Sequence, residues 1–231
     1  MKIIAHRGYS EKYLENTLQA FEEAVNADVD MIELDVRLSK DGTAMIFHDK
    51  SLKRLSGMKD SIETLTIDEL ALVTLEDKEG NSHTIPRLDE VITLVNGRCK
   101  LILELKEQGN VKALCEAVEK RISDHLSWIE VSCFDDAVLE TIHGLNTKIA
   151  LHKLIETKEV LNRKDFHTRY AYISYFDIDV ALQHATKVKH LISNHKVVFW
   201  TVAGEDISEA IGLGLYGAMS NDPVMLRAKW F

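Results

Sequence analysis

Proline is scarce in this chain of 231 residues, which contains Pro86 and Pro223 and no other. No stretch rich in glycine and serine, and no block of like charges, divides the sequence. Because linkers between domains have such compositions, the sequence gives no sign of a domain boundary. We therefore expect one domain over residues 1–231, a length at which a single α/β barrel is common.

Cysteines and long apolar runs are also scarce. Cys99, Cys115 and Cys133 are odd in number and show no CxxC spacing, which argues against a disulfide framework and a thiolate metal site. The opening "MKIIAHRG" has too few apolar residues for a secretion signal. No apolar run approaches the roughly 18 residues that a membrane span requires. We expect a protein of the reducing cytoplasm with no membrane span.

Positive charge is in deficit, since 28 lysines and arginines face 37 aspartates and glutamates, for a formal net charge of -9. Proteins that bind nucleic acid nonspecifically gain affinity by neutralising phosphates with basic side chains. The sequence therefore predicts no nucleic-acid partner, and any phosphate must be held by a few local groups. An acidic protein of this kind can be a monomer or a homodimer.

Short apolar runs alternate with helical patterns along the chain. Stretches such as "LQAFEEAV" and "VKALCEAVEKRI" have apolar residues at helical spacing. This alternation is typical of βαβ units and a parallel sheet. The nine apolar runs are "KIIA", "DMIELDV", "TAMIFHD", "KLILELK", "WIEVSCF", "KIALHK", "YAYISYF", "VVFWTV" and "YGAMS".

The second and third runs are joined by "RLSKDG", which is too short for a helical crossover. Its Asp41-Gly42 pair favours a tight hairpin turn, so we expect "TAMIFHD" to return antiparallel beside "DMIELDV". Eight parallel strands remain. The predicted fold is a (β/α)₈ TIM barrel of the α/β class, with a β-hairpin after the second strand.

Carboxylates stand where two predicted strands end, the position of reactive groups in such barrels. Glu33 and Asp35 are two residues apart, so both point to one face of a strand, and Glu104 and Lys106 repeat this spacing. Carboxylates that share a space repel unless a cation lies between them, and oxygen ligands suit Mg²⁺ or Ca²⁺. The alternative is the solvated face of an ordinary strand.

Two histidines and two basic residues accompany the carboxylates. His6 ends the first strand, and the hairpin brings His48 back to nearly the level of Asp35. Two imidazoles beside carboxylates suit an acid and base pair. Arg7 offers a planar fork for phosphate and Lys106 a point charge, although Arg7 could instead pair with acidic neighbours. Together these groups indicate a phosphodiester site.

Other residues have two interpretations. In "LENTLQAF", Asn16 or Thr17 can cap the first helix, and Glu15 is a further candidate for substrate binding. Phe134 and Trp200 can form apolar walls for part of a substrate or belong to the core.

Six motifs occur in this order along the chain: "HRGYSEKYLENTLQAF", "IELDVRLSKDGTAMIFHD", "IPRLDEVI", "LILELK", "FWTV" and "GAMSNDP". With them, the sequence resembles the glycerophosphodiester phosphodiesterase family from residue 3 to about residue 224. The resemblance implies a TIM barrel with a small insertion at roughly residues 49–85. It implies hydrolysis of a small glycerophosphodiester to sn-glycerol 3-phosphate and an alcohol. The implied roles are metal binding by Glu33, Asp35 and Glu104, catalysis by His6 and His48, and phosphate binding by Arg7 and Lys106.

Two other activities fit the same residues. A lysophospholipase D would keep the site and add a longer apolar groove, for which Phe134 and Trp200 are candidates. A noncatalytic barrel would bind phosphodiesters or phospholipid headgroups without turnover.

Overall fold

The computed structural model describes residues 1–106, 109–155, 172–175, 192–203 and 212–230. Eight parallel strands form a closed barrel, because β1 (Lys2–His6) pairs with β2 (Met31–Leu38) on one side and with the last strand, β11 (Gly217–Ser220), on the other. All nine apolar runs contain strands, which confirms the predicted fold. The strands of the main sheet are β1 (Lys2–His6), β2 (Met31–Leu38), β3 (Ala44–Ile46), β6 (Lys100–Leu105), β7 (Ile129–Cys133), β8 (Leu151–Ile155), β9 (Tyr172–Tyr175), β10 (Lys196–Phe199) and β11 (Gly217–Ser220).

The strand β3 is antiparallel to β2 and does not belong to the barrel ring. The turn between them contains Gly42 at φ +83°, a left-handed conformation that glycine adopts at little cost. Val36 pairs with Ile46, and the Phe47 amide donates to the Asp35 carbonyl at 3.0 Å. The predicted hairpin is confirmed, with Phe47 opposite Asp35 and His48 one residue further on.

Helices cover the outside of the barrel, and successive strand residues point alternately out and in. In β2, Ile32 and Leu34 belong to the main apolar core, whereas Met31 lies in a small apolar cluster inside the barrel. The inward residues that follow Met31 are Glu33 and Asp35, so the strand directs both carboxylates to the mouth. In the part of the chain that the structure describes, the outer helices include α1 (Leu18–Asn26), α4 (Leu88–Val95), α5 (Val111–Ile122), α6 (Asp136–Leu145) and α7 (Pro223–Trp230).

A small insertion follows β3 and precedes α4. It has an apolar cluster of its own, which includes Phe47, Leu52, Ile62 and Leu70, and therefore packs as a unit beside the barrel mouth. Its elements are α2 (Lys53–Ser56), a 3₁₀ turn (Ile62–Thr64), α3 (Ile67–Leu70), β4 (Leu75–Glu76) and β5 (Ser82–His83).

Across the described ranges, no helix combines the length and the apolar character needed to cross a membrane.

Candidate active site

Three carboxylates meet at the carboxyl ends of the neighbouring strands β2 and β6. Asp35 and Glu104 are paired in the parallel register. Each of the three residues, Glu33, Asp35 and Glu104, contributes one carboxylate oxygen, and these three oxygens lie within 4.8 Å of one another. All three residues are buried. The structure thus brings together the carboxylates that the two-residue spacing singled out.

Two cationic side chains, those of Lys106 and Arg7, partly compensate this negative charge. Lys106 Nζ lies 2.8 Å from Asp35 Oδ1 and also donates to Glu104 Oε1. Arg7 Nε lies 3.2 Å from Asp35 Oδ2, so the ion pair considered as an alternative for Arg7 is present. Glu33 Oε1 is buried and accepts no hydrogen bond from any described residue. Glu33 Oε1 therefore lacks the hydrogen-bond donor that a buried carboxylate oxygen usually has.

Burial acts to raise the pKa of all three acids, and the neighbouring charges separate their pKa values. Burial and the charges of Asp35 and Glu104 raise the pKa of Glu33 well above its ordinary value. Burial and Asp35 raise the pKa of Glu104 to about 7. Burial also acts to raise the pKa of Asp35, but Lys106 and Arg7 outweigh it and hold that pKa well below its ordinary value. Without a cation, the cluster tends to retain protons.

The donor set fits a hard divalent cation. Three converging carboxylates supply oxygen ligands, and Glu33 Oε1, which accepts no hydrogen bond from the described residues, can serve as one of them. A bound cation would also relieve the repulsion that raises the pKa values of Glu33 and Glu104.

His6, at the end of β1, is held by the residue that follows the last strand of the barrel. Its Nδ1 lies 2.7 Å from the amide oxygen of Asn221, and its Nε2 lies 3.9 Å from Glu33 Oε2. Burial and the charge of Arg7 lower the pKa of His6 to about 4, so the ring is neutral at pH 7. Because an amide oxygen only accepts, Nδ1 carries the hydrogen and the lone pair of Nε2 faces the carboxylates.

A left-handed turn immediately after β1 directs Arg7 into the site. Arg7 has φ +59° and Gly8 has φ +83°. A Cβ atom on Gly8 would lie 2.7 Å from the backbone of Ala20, so this position requires glycine for space as well as conformation. The Arg7 amide donates to the Glu33 carbonyl at 2.9 Å, which ties the turn to β2.

His48 is fixed by its backbone and by its ring. The carbonyl of His48 accepts hydrogen bonds from Arg37 Nη2 at 2.7 Å and Nε at 3.1 Å. The ring Nδ1 lies 2.7 Å from Asp49 Oδ1. Burial, with Lys106 and Arg7, lowers the pKa of His48 although Asp35 opposes the shift. The charge of Asp35 thus acts on this ring, and the hairpin places His48 one residue beyond the position opposite Asp35.

Glu15 and Asn16 enter the site from the loop before α1. Glu15 Oε1 accepts from Arg7 Nη1 at 2.9 Å, so Glu15 contacts a site residue rather than open space. Thr17 is the helix cap, since its side chain accepts from the Ala20 amide. Asn16 is buried at φ +57°, and its amide donates to Asp35 Oδ2 at 2.7 Å. Reading Asn16 as a possible cap missed this role.

Phe134 and Trp200 lie together beside His6. Their ring centroids are 5.8 Å apart in an edge-to-face arrangement, and the Trp200 ring centroid is 6.4 Å from that of His6. Both residues are partly exposed. Aromatic surface is therefore available next to His6.

Asn221 contacts His6, and Arg54 contacts Glu15, yet sequence reasoning gave neither residue a role. Asn221 follows the eighth barrel strand, and the closure of the ring between β11 and β1 could have indicated that it meets His6. Arg54 lies in the insertion, and no sequence spacing relates it to the strand ends.

The model of the glycerophosphoryl diester phosphodiesterase family matches residues 6–225. The chain belongs to this family. Within it, a glycerophosphodiester phosphodiesterase of Bacillus altitudinis is 28% identical over 96% of this chain and 95% of its own. A lysophospholipase D of Homo sapiens is 27% identical over 98% of this chain and 85% of its own. The crystal structure of a glycerophosphodiester phosphodiesterase from Thermotoga maritima superposes with a TM-score of 0.81 at 28% identity, covering 100% of this chain and 99% of the other.

Proposed function

We propose that this protein is a metal-dependent glycerophosphodiester phosphodiesterase, which hydrolyses its substrate to sn-glycerol 3-phosphate and an alcohol. The observation that carries the proposal is the meeting of three carboxylates, two imidazoles and two cationic side chains at one barrel mouth in a member of this family. The Bacillus altitudinis relative, a glycerophosphodiester phosphodiesterase by name, supports the same reaction.

In this proposal Glu33, Asp35 and Glu104 hold the divalent cation, either Mg²⁺ or Ca²⁺. When bound, such a cation supplies Lewis-acid stabilisation of the charge that develops on the phosphoryl oxygens. Arg7 and Lys106 bind the phosphate, since their charged groups already lie at the cluster. Both side chains would then exchange part of their contact with Asp35 for contact with substrate.

His6 and His48 carry the proton transfers. In each ring a hydrogen-bond acceptor, Asn221 or Asp49, faces Nδ1. The Nε2 atoms are therefore the ones that exchange protons with substrate. One ring takes the proton of the attacking hydroxyl, and the other protonates the departing alkoxide. Attack by water gives sn-glycerol 3-phosphate directly. Attack by the glycerol 2-hydroxyl gives a cyclic phosphate, which a water molecule then opens to sn-glycerol 3-phosphate.

The test is release of sn-glycerol 3-phosphate from glycerophosphocholine and glycerophosphoethanolamine. The protein is treated with chelator and assayed with Mg²⁺, Ca²⁺ or Mn²⁺ restored, beside the variants His6→Ala and Glu33→Ala. We expect turnover that requires a cation and that both substitutions abolish. Turnover that survives chelation and both substitutions would place the reaction elsewhere.

A second candidate activity is that of a lysophospholipase D. The human relative with this name covers nearly all of the chain, and the Phe134–Trp200 pair offers apolar surface beside His6. Comparing kcat/KM for glycerophosphocholine and lysophosphatidylcholine separates the two activities. If the lipid is preferred, Phe134→Ala should raise its KM and leave that of glycerophosphocholine unchanged.

The proposal also takes residues 1–231 as one domain with an insertion at about residues 49–85, working in the cytoplasm. The three cysteines are buried and free, as a reducing compartment permits.

A further inference from the structure

Arg54, on the short helix α2 of the insertion, binds two carboxylates at once. Its Nη1 donates to Glu15 Oε2 at 2.9 Å and its Nη2 to Glu15 Oε1 at 2.7 Å, a two-point contact. Its Nε donates to Asp49 Oδ2 at 2.6 Å. The guanidinium thus joins the loop before α1 to the segment that follows β3.

Both carboxylates continue to groups of the candidate active site. Asp49 uses its other oxygen to contact His48 Nδ1 at 2.7 Å. Glu15 accepts from Arg7 Nη1 at 2.9 Å on an oxygen that it also presents to Arg54. A continuous chain of charged hydrogen bonds therefore runs from His48 through Arg54 to Arg7.

We propose that Arg54 is a positioning residue for the phosphodiesterase reaction, holding Asp49 against His48 and Glu15 against Arg7. This inference rests on the proposed function. It makes the insertion part of the catalytic apparatus, although Arg54 itself touches neither the carboxylate cluster nor the imidazoles in any described contact. Its action is through the two carboxylates.

The burial of the carboxylates makes this contact stronger than a usual surface ion pair. The side chains of Glu15 and Asp49 are 18% and 24% exposed, whereas that of Arg54 is 46% exposed. A solvated ion pair contributes little to stability, but charge-assisted two-point hydrogen bonds to partly buried carboxylates fix the orientation of the two partners. Without Arg54, two mostly buried anions would lose their shared cation and turn towards water.

The consequence for His48 is a defined tautomer. A carboxylate only accepts, so Asp49 keeps the hydrogen on Nδ1 and leaves Nε2 for the reaction. Burial acts to raise the pKa of Asp49, but hydrogen bonds from Arg54 and His48 hold it below its ordinary value. In the Arg7 guanidinium, Nη1 donates to Glu15, and Nε lies near Asp35.

The experiment compares Arg54→Ala with Arg98→Ala in steady-state hydrolysis of glycerophosphocholine. Arg98 is a matched control, because it makes a two-point contact with Glu22 on a similarly exposed surface away from the site. We expect kcat/KM of Arg54→Ala to fall about 10- to 100-fold, the usual effect of removing a supporting residue. Arg98→Ala should stay within about twofold, and both variants should keep the wild-type circular dichroism spectrum.

Rescue and single-carboxylate variants separate positioning from structure. Added guanidinium should restore part of the activity of Arg54→Ala, and Arg54→Lys should stay impaired because an ammonium cannot form the fork. Asp49→Asn should mainly lower kcat and Glu15→Gln mainly raise KM. The double variant Arg54→Ala/Asp49→Asn should show the kcat of the more impaired single variant, since both break one chain. Full activity of Arg54→Ala, or strictly additive losses, would overturn the proposal.

A substrate-free measurement separates this inference from the proposed function. In protein labelled with ¹⁵N-histidine, the wild-type His48 ring should be the Nδ1-H tautomer, and Arg54→Ala should shift it towards a mixture. His48→Ala identifies the signal. If the wild type hydrolyses no phosphodiester, the proposed function fails, and the spectrum still decides whether Arg54 orders His48. An unchanged His48 spectrum in Arg54→Ala contradicts the inference in either case.

Discussion

The Asn16 side chain forms two hydrogen bonds with Asp35. Its Nδ2 donates to Asp35 Oδ2 at 2.7 Å, and its Oδ1 accepts from the Asp35 backbone amide at 3.3 Å. Both residues are buried. Asn16→Ala should therefore weaken binding of Mg²⁺ or Ca²⁺ by about 10- to 100-fold, as loss of a group that orients a ligand usually does. Calorimetric titration of chelator-treated protein measures this.

The neighbouring Thr17→Ala is the control for Asn16. Thr17 caps α1, so its loss should cost about 1 kcal/mol of unfolding free energy. It should leave cation affinity within about twofold of wild type. Equal affinity losses in the two variants would mean that Asn16 acts through the helix rather than through Asp35.

Cation binding should release protons near neutral pH. Burial and acidic neighbours raise the pKa of Glu104 to about 7 and that of Glu33 well above its ordinary value. Both groups therefore bind protons below these values and must lose them to become ligands, so affinity should rise as pH increases through 7. Titrations at pH 7 in two buffers of different ionisation enthalpy count the protons. A pH-independent affinity between pH 6 and pH 8 would contradict the shifts.

Gly8→Ala should destabilise the protein strongly, by about 3 kcal/mol or more. The new Cβ would combine a left-handed backbone with a collision against Ala20. Gly42 is a matched control, since it has the same φ of +83° and open space around it. Gly42→Ala should cost only about 1–2 kcal/mol. Urea denaturation of both variants gives the comparison, and equal losses would show that the collision is relieved at no cost.

The thiols should be unreactive in the native protein. Burial raises the pKa of Cys99 to about 12 and that of Cys115 to about 11, and Cys133 is also buried. Because the thiolate is the reactive species, a disulfide reagent at pH 8 should label no cysteine within minutes and all three after denaturation. Rapid labelling of Cys99 or Cys115 in the folded state would contradict their burial.

The sequence predicted the barrel well, because strand burial and turn chemistry are local. The apolar runs and the Asp41-Gly42 turn identified eight parallel strands and the hairpin, all of which are present. The two-residue spacing of Glu33 and Asp35 predicted their common direction. These features depend on the local pattern of side chains and on regular backbone geometry.

The supporting residues were not predictable in the same way. Asn16 is of a residue type common at helix caps. Its contact with Asp35 follows from a left-handed backbone conformation that the sequence does not reveal. Asn221 meets His6 only because the barrel closes, and Arg54 reaches Glu15 across 39 positions of sequence. Tertiary packing, rather than local pattern, places all three.

Cation-dependent hydrolysis at the carboxylate cluster can be followed by ³¹P NMR of glycerophosphocholine incubated with chelator-treated protein, before and after addition of Mg²⁺ or Ca²⁺. We expect the diester resonance to convert to that of sn-glycerol 3-phosphate only after a cation is added. With the Glu33→Gln variant, we expect the diester resonance to persist under both conditions. Conversion without a cation, or undiminished conversion by Glu33→Gln, would show that the cluster does not support the reaction.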